Sequence, residues 1–172
     1  SIPNSYQFNQ FENFANPDIH ERTTAQEIWT QSNKKVDGLV TGVGTGGTVT
    51  GCARFLKKVN PNCKIYAVEP KNSAVISGEE PGSHSIQGIG AGFIPKVLNT
   101  KLIDEIIKVE DHDAFYYGRL LARLEGLLSG VSSGAALAAA IKIGARKELT
   151  NKRLIVILPS FGERYLSTAM FE

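Results

Sequence analysis

Glycines and threonines follow a short apolar run in the first third of the chain, in the stretch 37–48, which reads DGLVTGVGTGGT. Glycine lets backbone N–H groups converge and lets a ligand approach the main chain closely. The first turn of a helix carries about half a unit of positive charge, which favours a bound anion. The stretch therefore predicts a strand, a tight loop and a helix N-terminus that together hold a phosphate group. The loop residues that would line this site are Gly44, Thr45, Gly46, Gly47 and Thr48.

The same glycines leave two other interpretations open. Gly42, Gly44 and Gly47 match the dinucleotide-binding pattern G-x-G-x-x-G. Glu69 ends the next predicted strand, where an acid that binds a ribose would lie. The remaining interpretation is a tight turn that binds nothing, although such a turn needs only one or two glycines.

Three further segments are candidates for ligand contact. Ser160 directly follows an apolar run at 154–158, and ligands of open α/β sheets bind beyond the carboxyl ends of the strands. Its hydroxyl is therefore expected at the edge of a ligand, with a helix N-cap as the alternative. The loop 126–134 feeds a helix, and the loop 87–92 contains small residues that allow backbone to close over a ligand. A capped helix start and a plain surface loop are their alternatives.

Composition excludes several classes of protein. The 172 residues, 42% apolar and 21% charged, describe one ordinary globular domain. A net charge of +2 without a basic stripe gives no reason to expect nucleic acid or a membrane as partner. The three histidines lack the spacing of metal ligands, so no metal is expected. Cys52 and Cys63 form no C-x-x-C motif, which fits free thiols in a reducing compartment.

The elements that must position these residues alternate between strand and helix. The predicted strands are 39–43, 64–68, 103–109 and 154–158, with a weaker one at 6–11. The predicted helices are one that begins at 23–24 and those at 48–58, 111–125 and about 132–147, the last capped by Ser132 or Ser133. Nearly continuous apolar strands that alternate with helices predict an α/β fold, with a parallel sheet flanked by helices.

Four motifs occur in the order found in one enzyme family. They are the glycine loop 42–48, the stretch 87–95 (QGIGAGFIP), the stretch 130–135 (GVSSGA) and the stretch 159–168 (PSFGERYLST). With these, the chain resembles the cysteine synthase (O-acetylserine sulfhydrylase) family. These are tryptophan-synthase-β-like, fold-type II enzymes that use pyridoxal 5′-phosphate. The resemblance covers essentially all residues and implies that 1–172 form the C-terminal, phosphate-binding domain. Further matching residues are Gln10, Phe11, Asn16, Pro17, His20, Thr23, Glu27, Ile28 and Trp29.

The resemblance implies roles for individual residues. The loop 44–48 would hold the 5′-phosphate of the cofactor, and Ser160 would hydrogen-bond its pyridine nitrogen. A hydroxyl stabilises a pyridinium less than a carboxylate does, which suits β-elimination. Gln10 would contact the carboxylate region of the substrate, and Gly88 and Gly90 would lie near the closing cleft.

The implied reaction is β-replacement, in which O-acetyl-L-serine loses acetate and sulfide adds to give L-cysteine. Similar enzymes carry their Schiff-base lysine in an N-terminal half, and no lysine of this sequence lies in that context. No catalytic residue is therefore assigned here, and the chain alone is expected to be inactive.

The resemblance also implies a homodimer, a cytoplasmic location (or an organelle after removal of a targeting segment) and binding of the C-terminal tail of serine acetyltransferase. Two alternatives stay open at this point. One is a Rossmann NAD-binding oxidoreductase domain. The other is a non-catalytic, truncated homologue that binds serine acetyltransferase.

Overall fold

Four parallel β-strands form a single sheet in the computed structural model, which describes residues 2–172. The strands lie in the order β3-β2-β1-β4. Because both faces of the sheet are covered, the central strands are almost wholly buried and consist of continuous apolar runs. The strands are β1 (Gly38–Gly42), β2 (Lys64–Pro70), β3 (Glu105–Val109) and β4 (Leu154–Val156).

Five α-helices cover the two faces of this sheet. Alternate residues of a strand enter opposite layers, so Leu39 packs with one set of helices and its neighbour Val40 with the other. The first three helices form one layer and the last two the other. The helices are α1 (Ala15–Arg22), α2 (Thr24–Gln31), α3 (Gly47–Val59), α4 (Asp111–Glu125) and α5 (Val131–Gly144). The predicted α/β fold with a flanked parallel sheet is confirmed.

Most predicted elements lie within two residues of the observed ones, and the differences have local causes. The predicted strand 6–11 is wrong, because none of the strands within residues 2–172 includes it. Tyr6 and Phe8 are 80% and 76% exposed and pack against each other edge to face. Strand β4 ends at Val156, two residues earlier than predicted.

The start of helix α5 also differs from prediction. Gly130, and not Ser132 or Ser133, is the N-cap of α5, and both serines lie inside its first turn. The Asp111 carboxylate accepts a hydrogen bond from the Ser85 N–H at 2.7 Å and so ties the loop 83–95 to the start of α4. Helix α4 ends in Gly126 with φ of +70°, a left-handed C-cap that suits glycine.

Helix α1 was not predicted from the sequence. Its eight residues, ANPDIHER, carry little apolar periodicity, and α1 is held by its packing on α3. Close packing is possible because α3 presents Gly47 and Gly51 to α1. A methyl group on Gly51 would lie 2.8 Å from both the Glu21 nitrogen and the His20 Cβ.

No helix within residues 2–172 is long and apolar enough to cross a membrane.

Candidate functional site

The glycine loop connects β1 to α3 at the carboxyl end of the sheet. Gly46 is the N-cap of α3 and has φ of +84°, a backbone conformation that other residues adopt only with strain. The first N–H groups of a helix have no partner within it, so the start of α3 presents donors to whatever lies in front of it. The local structure is the strand, loop and helix start that the sequence predicts.

Neighbouring segments enclose this loop at distances that exclude side chains. A methyl group on Gly44 would overlap the carbonyl oxygen of Gly88, and one on Gly46 would lie 2.8 Å from the Leu98 side chain. A methyl group on Gly47 would overlap the side chain of Asn16. The glycines are therefore required by close packing around the loop as well as by its backbone conformation.

Two threonine hydroxyls lie at the start of α3, and side chains of α1 hold both. The Asn16 amide Nδ2 donates to Thr45 Oγ1 at 3.0 Å, and the Gly47 N–H donates to the same oxygen at 3.2 Å. His20 Nε2 lies 3.3 Å from Thr48 Oγ1. Burial lowers the pKa of His20, so its ring is neutral near pH 7.

A cleft of about 290 Å³ opens in front of the glycine loop. It brings together four residues that the sequence singled out, since its walls include Gln10, Gly44, Thr45 and Gly88. Gly90 lies behind this wall, where its N–H donates to the Val43 carbonyl at 3.0 Å. One opening thus contains some of the substrate-side and phosphate-side candidates, whereas Gly46, Gly47 and Thr48 are not among the residues that line it.

Ser160 lies outside that cleft. It lines a different hollow of about 270 Å³, together with Leu127, Leu128 and Phe161. Its Oγ is buried and has no hydrogen-bond partner among residues 2–172. The short 3₁₀ turn that follows has Phe161 as its N-cap, so Ser160 does not cap it.

Ser132 lies in the loop 126–134, for which the sequence left open a ligand contact or a capped helix start. Its side chain is 4% exposed in the first turn of α5, and its Oγ lies 3.8 Å from the position that a methyl group on Gly88 would occupy. Gly88 forms a wall of the cleft, but Ser132 itself is not among the residues that line it. The sequence signal was a pair of serines between a loop and a helix, which did not distinguish a cap from a ligand contact.

Glu69 cannot serve as the ribose-binding acid of a dinucleotide site. Its side chain is 1% exposed, and its carboxylate accepts hydrogen bonds from the N–H groups of Ile76 at 2.8 Å and Ser77 at 3.1 Å. The Ser77 hydroxyl donates to it as well. The carboxylate thus holds the loop after β2. The dinucleotide interpretation therefore has no carboxylate at this position to bind the ribose.

The remaining reactive side chains have structural surroundings. His84 Nε2 lies 3.1 Å from the Gly90 carbonyl, and His84 Nδ1 accepts from the Ile86 N–H, so this ring organises the loop 83–92. Burial raises the pKa of the Cys52 thiol to about 12 and that of Cys63 to about 11, so both stay protonated. Among residues 2–172 no cluster of three His, Cys, Asp or Glu side chains is able to hold a metal ion.

Comparison with known proteins agrees with this geometry. The profile of the family described as pyridoxal-phosphate dependent enzyme matches residues 1–160. Cysteine synthase A of Escherichia coli (strain K12) is 52% identical over 170 residues, which cover 94% of this chain and 53% of that protein. The crystal structure of a cysteine synthase from Entamoeba histolytica superposes with a TM-score of 0.95 at 45% sequence identity. The match covers 98% of this chain and 50% of the chain in that crystal structure.

A hydrogen sulfide-producing enzyme from Fusobacterium nucleatum has a TM-score of 0.85 and 41% identity, and it covers 92% of this chain and 54% of its own. The chain therefore spans about half the length of the curated relatives and solved structures that it matches.

Proposed function

Because the chain belongs to the family of pyridoxal-phosphate-dependent enzymes, we propose that it is the phosphate-binding half of a cysteine synthase. The reaction is the conversion of O-acetyl-L-serine and sulfide to L-cysteine and acetate. Cysteine synthases of two Buchnera aphidicola strains, each 51% identical, support this choice within the family. The observation that carries it is the glycine loop at the start of α3, closed in by Asn16, Gly88 and Leu98.

The residues present fit the phosphate of pyridoxal 5′-phosphate, which is the cofactor of this family. The loop 44–48 offers helix N-terminal N–H groups and the hydroxyls of Thr45 and Thr48 near the start of α3. Glycine at three of these positions lets neighbouring segments pack directly against the loop and hold its backbone in place. We propose Gly44, Thr45, Gly46, Gly47 and Thr48 as the phosphate ligands.

When bound, the cofactor ring supplies an electron sink that stabilises negative charge on the substrate carbon next to its amine. The role of this chain is to orient that ring, and two serine hydroxyls are available. Ser160, the sequence prediction, has an Oγ without a partner among residues 2–172 but lines a separate hollow. We propose Ser160 as the partner of the pyridine nitrogen, because its buried Oγ has no hydrogen-bond partner among residues 2–172. Ser132, whose Oγ lies 3.8 Å from the Cβ position of Gly88, does not line the cleft either and is the second candidate.

The substrate side of the cleft is proposed to include Gln10, Gly88 and Gly90. The backbone at Gln10 is fixed because its carbonyl accepts a hydrogen bond from Asn16 Nδ2 at 2.8 Å, which links the substrate side to the phosphate side. Gly88 and Gly90 have φ of +94° and +68°, so the loop that closes the cleft needs glycine at both positions.

The remaining half of the relatives' length is proposed to supply the lysine that binds the cofactor covalently, since no catalytic residue is assigned in this chain. Residues 1–172 would then act as one domain of a two-domain enzyme. A homodimer, the C-terminal tail of serine acetyltransferase as partner, and a cytoplasmic location are part of the same proposal. The two free, buried cysteines are consistent with a reducing compartment.

Calorimetric titration of the purified chain with pyridoxal 5′-phosphate, pyridoxal and NAD tests the phosphate site. The expected result is at least about tenfold tighter binding of pyridoxal 5′-phosphate than of pyridoxal, because charge-assisted hydrogen bonds are worth about 1.5–3 kcal/mol. Binding of NAD alone would contradict the proposal.

A second measurement separates the two serines and tests the reaction. The chain is combined with a polypeptide that corresponds to the other half of a cysteine synthase, and cysteine is assayed from O-acetyl-L-serine and sulfide. Ser160→Ala is expected to shift the absorption band of the bound cofactor and lower activity, while Ser132→Ala leaves both near wild type. The reverse pattern would favour Ser132 as the ring partner. Absence of cysteine from a combination that binds the cofactor would count against the proposed reaction.

A further inference from the structure

Helix α1 packs closely against α3 beside the glycine loop. Gly47 and Gly51 lie four residues apart on the face of α3 that α1 covers, and side chains at either position would overlap α1. Asn16 and His20 lie at the same spacing on α1, so both project from one side of that helix. The pairing of glycines with polar side chains brings two hydrogen-bonding groups against the loop.

The hydrogen bonds at Thr45 decide where its proton points. The Thr45 Oγ1 accepts from Asn16 Nδ2 at 3.0 Å and from the Gly47 N–H at 3.2 Å. A hydroxyl has two acceptor lone pairs and one proton, so both lone pairs are occupied. The remaining proton is free to be donated to a third group, and an anion in front of α3 would receive it.

The contacts of His20 allow the same outcome at Thr48. His20 Nδ1 lies 2.9 Å from Thr24 Oγ1, and Nε2 lies 3.3 Å from Thr48 Oγ1. The lowered pKa of His20 leaves a neutral ring with one N–H and one lone pair. If Thr24 donates to Nδ1, then Nε2–H donates to Thr48, and the Thr48 proton becomes available to an anion. The opposite tautomer would hold that proton against the ring.

We propose that Asn16 and His20 are positioning residues that orient the Thr45 and Thr48 hydroxyls as hydrogen-bond donors to the cofactor phosphate. In this arrangement His20 carries its proton on Nε2. The inference rests on the proposed function, because it assumes that a phosphate lies at the start of α3. Affinity for the phosphate then depends on side chains of α1, although this helix contributes no N–H group from its own N-terminus to the loop.

The test measures the ratio of the dissociation constants of pyridoxal and pyridoxal 5′-phosphate, which isolates the contribution of the phosphate. Asn16→Ala is expected to lower this ratio by about tenfold or more, the effect of one hydrogen bond to a charged group. Arg22→Ala on the exposed side of the same helix is the matched control and leaves the ratio unchanged.

A double-mutant cycle separates positioning from general packing. In a Thr45→Ala background, Asn16→Ala is expected to have no further effect on the ratio, because the hydroxyl it orients is gone. Equal effects with and without Thr45 would overturn the proposal, as would an unchanged ratio in Asn16→Ala alone. For His20, Gln reaches the position of Nε2 and is expected to restore part of the ratio that His20→Asn loses.

A measurement on the unmodified chain avoids the risk that a variant fails to fold. ¹⁵N NMR of the His20 ring with inorganic phosphate and then with pyridoxal 5′-phosphate is expected to show a protonated Nε2 and an unprotonated Nδ1. The opposite tautomer in the phosphate-bound chain would overturn the assignment for His20. If the wild-type chain shows no preference for pyridoxal 5′-phosphate over pyridoxal, the proposed function itself fails. If the wild-type chain prefers pyridoxal 5′-phosphate and the Asn16 and His20 variants keep the same preference, this inference fails and the proposed function stands.

Discussion

Gly46 combines two requirements that are usually separate. Its φ of +84° is strained for any residue with a Cβ, and a Cβ there would also lie 2.8 Å from the Leu98 side chain. Gly78 offers the comparison, because its φ of +87° is similar while nothing lies within 4 Å of its Cβ position. The two glycines therefore distinguish backbone strain from steric overlap at the proposed phosphate site.

We predict that Gly46→Ala destabilises the chain more than Gly78→Ala. Backbone strain accounts for about 1–2 kcal/mol at either position, and overlap adds about 1–3 kcal/mol at Gly46 alone. Urea unfolding of the two variants measures the difference. Gly46→Asp is further expected to abolish the preference for pyridoxal 5′-phosphate, since it adds a negative charge at the phosphate. Equal destabilisation of the two alanine variants would contradict the close packing at Leu98.

Single residues also show where sequence patterns reach their limit. The glycine loop was predictable because its glycines follow an apolar strand, and only a few structures need that pattern. Asn16 and His20 were given no role at the site, because their relevance depends on which segments meet in space. Glu69 fitted a dinucleotide pattern by spacing, yet its carboxylate binds N–H groups only seven and eight residues later.

At the scale of elements, the contact between α1 and α3 supports the loop that follows β1. We predict that Gly51→Ala separates these helices, because a methyl group there would overlap the Pro17 carbonyl. The expected loss is about 1–3 kcal/mol in the free energy of unfolding, despite the higher helix propensity of alanine.

Gly144→Ala in α5 is the matched control, because its nearest neighbour, a Leu154 methyl, would be at an ordinary 3.9 Å. That variant is expected to be neutral or stabilised by up to about 1 kcal/mol. Chemical denaturation of both measures the contrast, and a Gly51→Ala variant as stable as wild type would refute the close approach of α1.

The elements with strong local signals were predictable and those without were not. Strands β1 and β2 are apolar runs bounded by polar residues or glycine, and helices α3 and α4 carry helical periodicity, so all four follow from sequence. Helix α1 is short and polar, and its conformation depends on a partner more than thirty residues later. The alternation at 6–11 resembled a strand, but no neighbouring strand within residues 2–172 pairs with it.

At the scale of the whole molecule, charged groups gather where the strands begin, opposite the proposed active site. They surround a hollow of about 410 Å³. Two hydrogen bonds from Arg146, at 2.7 and 2.8 Å, hold the pKa of Glu105 below its usual range. The Arg153 N–H is the largest cause of the lowered pKa of Asp37.

Asp104 at the same edge joins α3 to the sheet. Partial burial raises its pKa, but hydrogen bonds from Lys57, the Ile65 N–H and Lys64 outweigh burial and leave the pKa lowered. These pairs are partly exposed, so each contributes only about 0–1 kcal/mol.

We predict that stability falls in acid because of these carboxylates. A pKa lowered by folding contributes stability that is present above the unfolded value, about 4, and is lost as pH drops through the folded value. Urea unfolding between about pH 7 and pH 2 should therefore show a declining free energy below about pH 5. Glu105→Gln is expected to flatten this decline, while Glu125→Gln, exposed at the end of α4, follows wild type. If the free energy of unfolding of Glu105→Gln declines in acid as steeply as that of wild type, the proposed role of the Glu105–Arg146 pair is contradicted.

The protonated thiols of Cys52 and Cys63 lie at 0% exposure in the layer between the sheet and α3. A thiol-alkylating reagent can reach them only when that layer opens, and the other layer contains neither. The rate of alkylation thus measures how often the layer of the core between the sheet and α3 opens. Slower labelling in the presence of pyridoxal 5′-phosphate would report occupancy of the loop without any engineered cysteine.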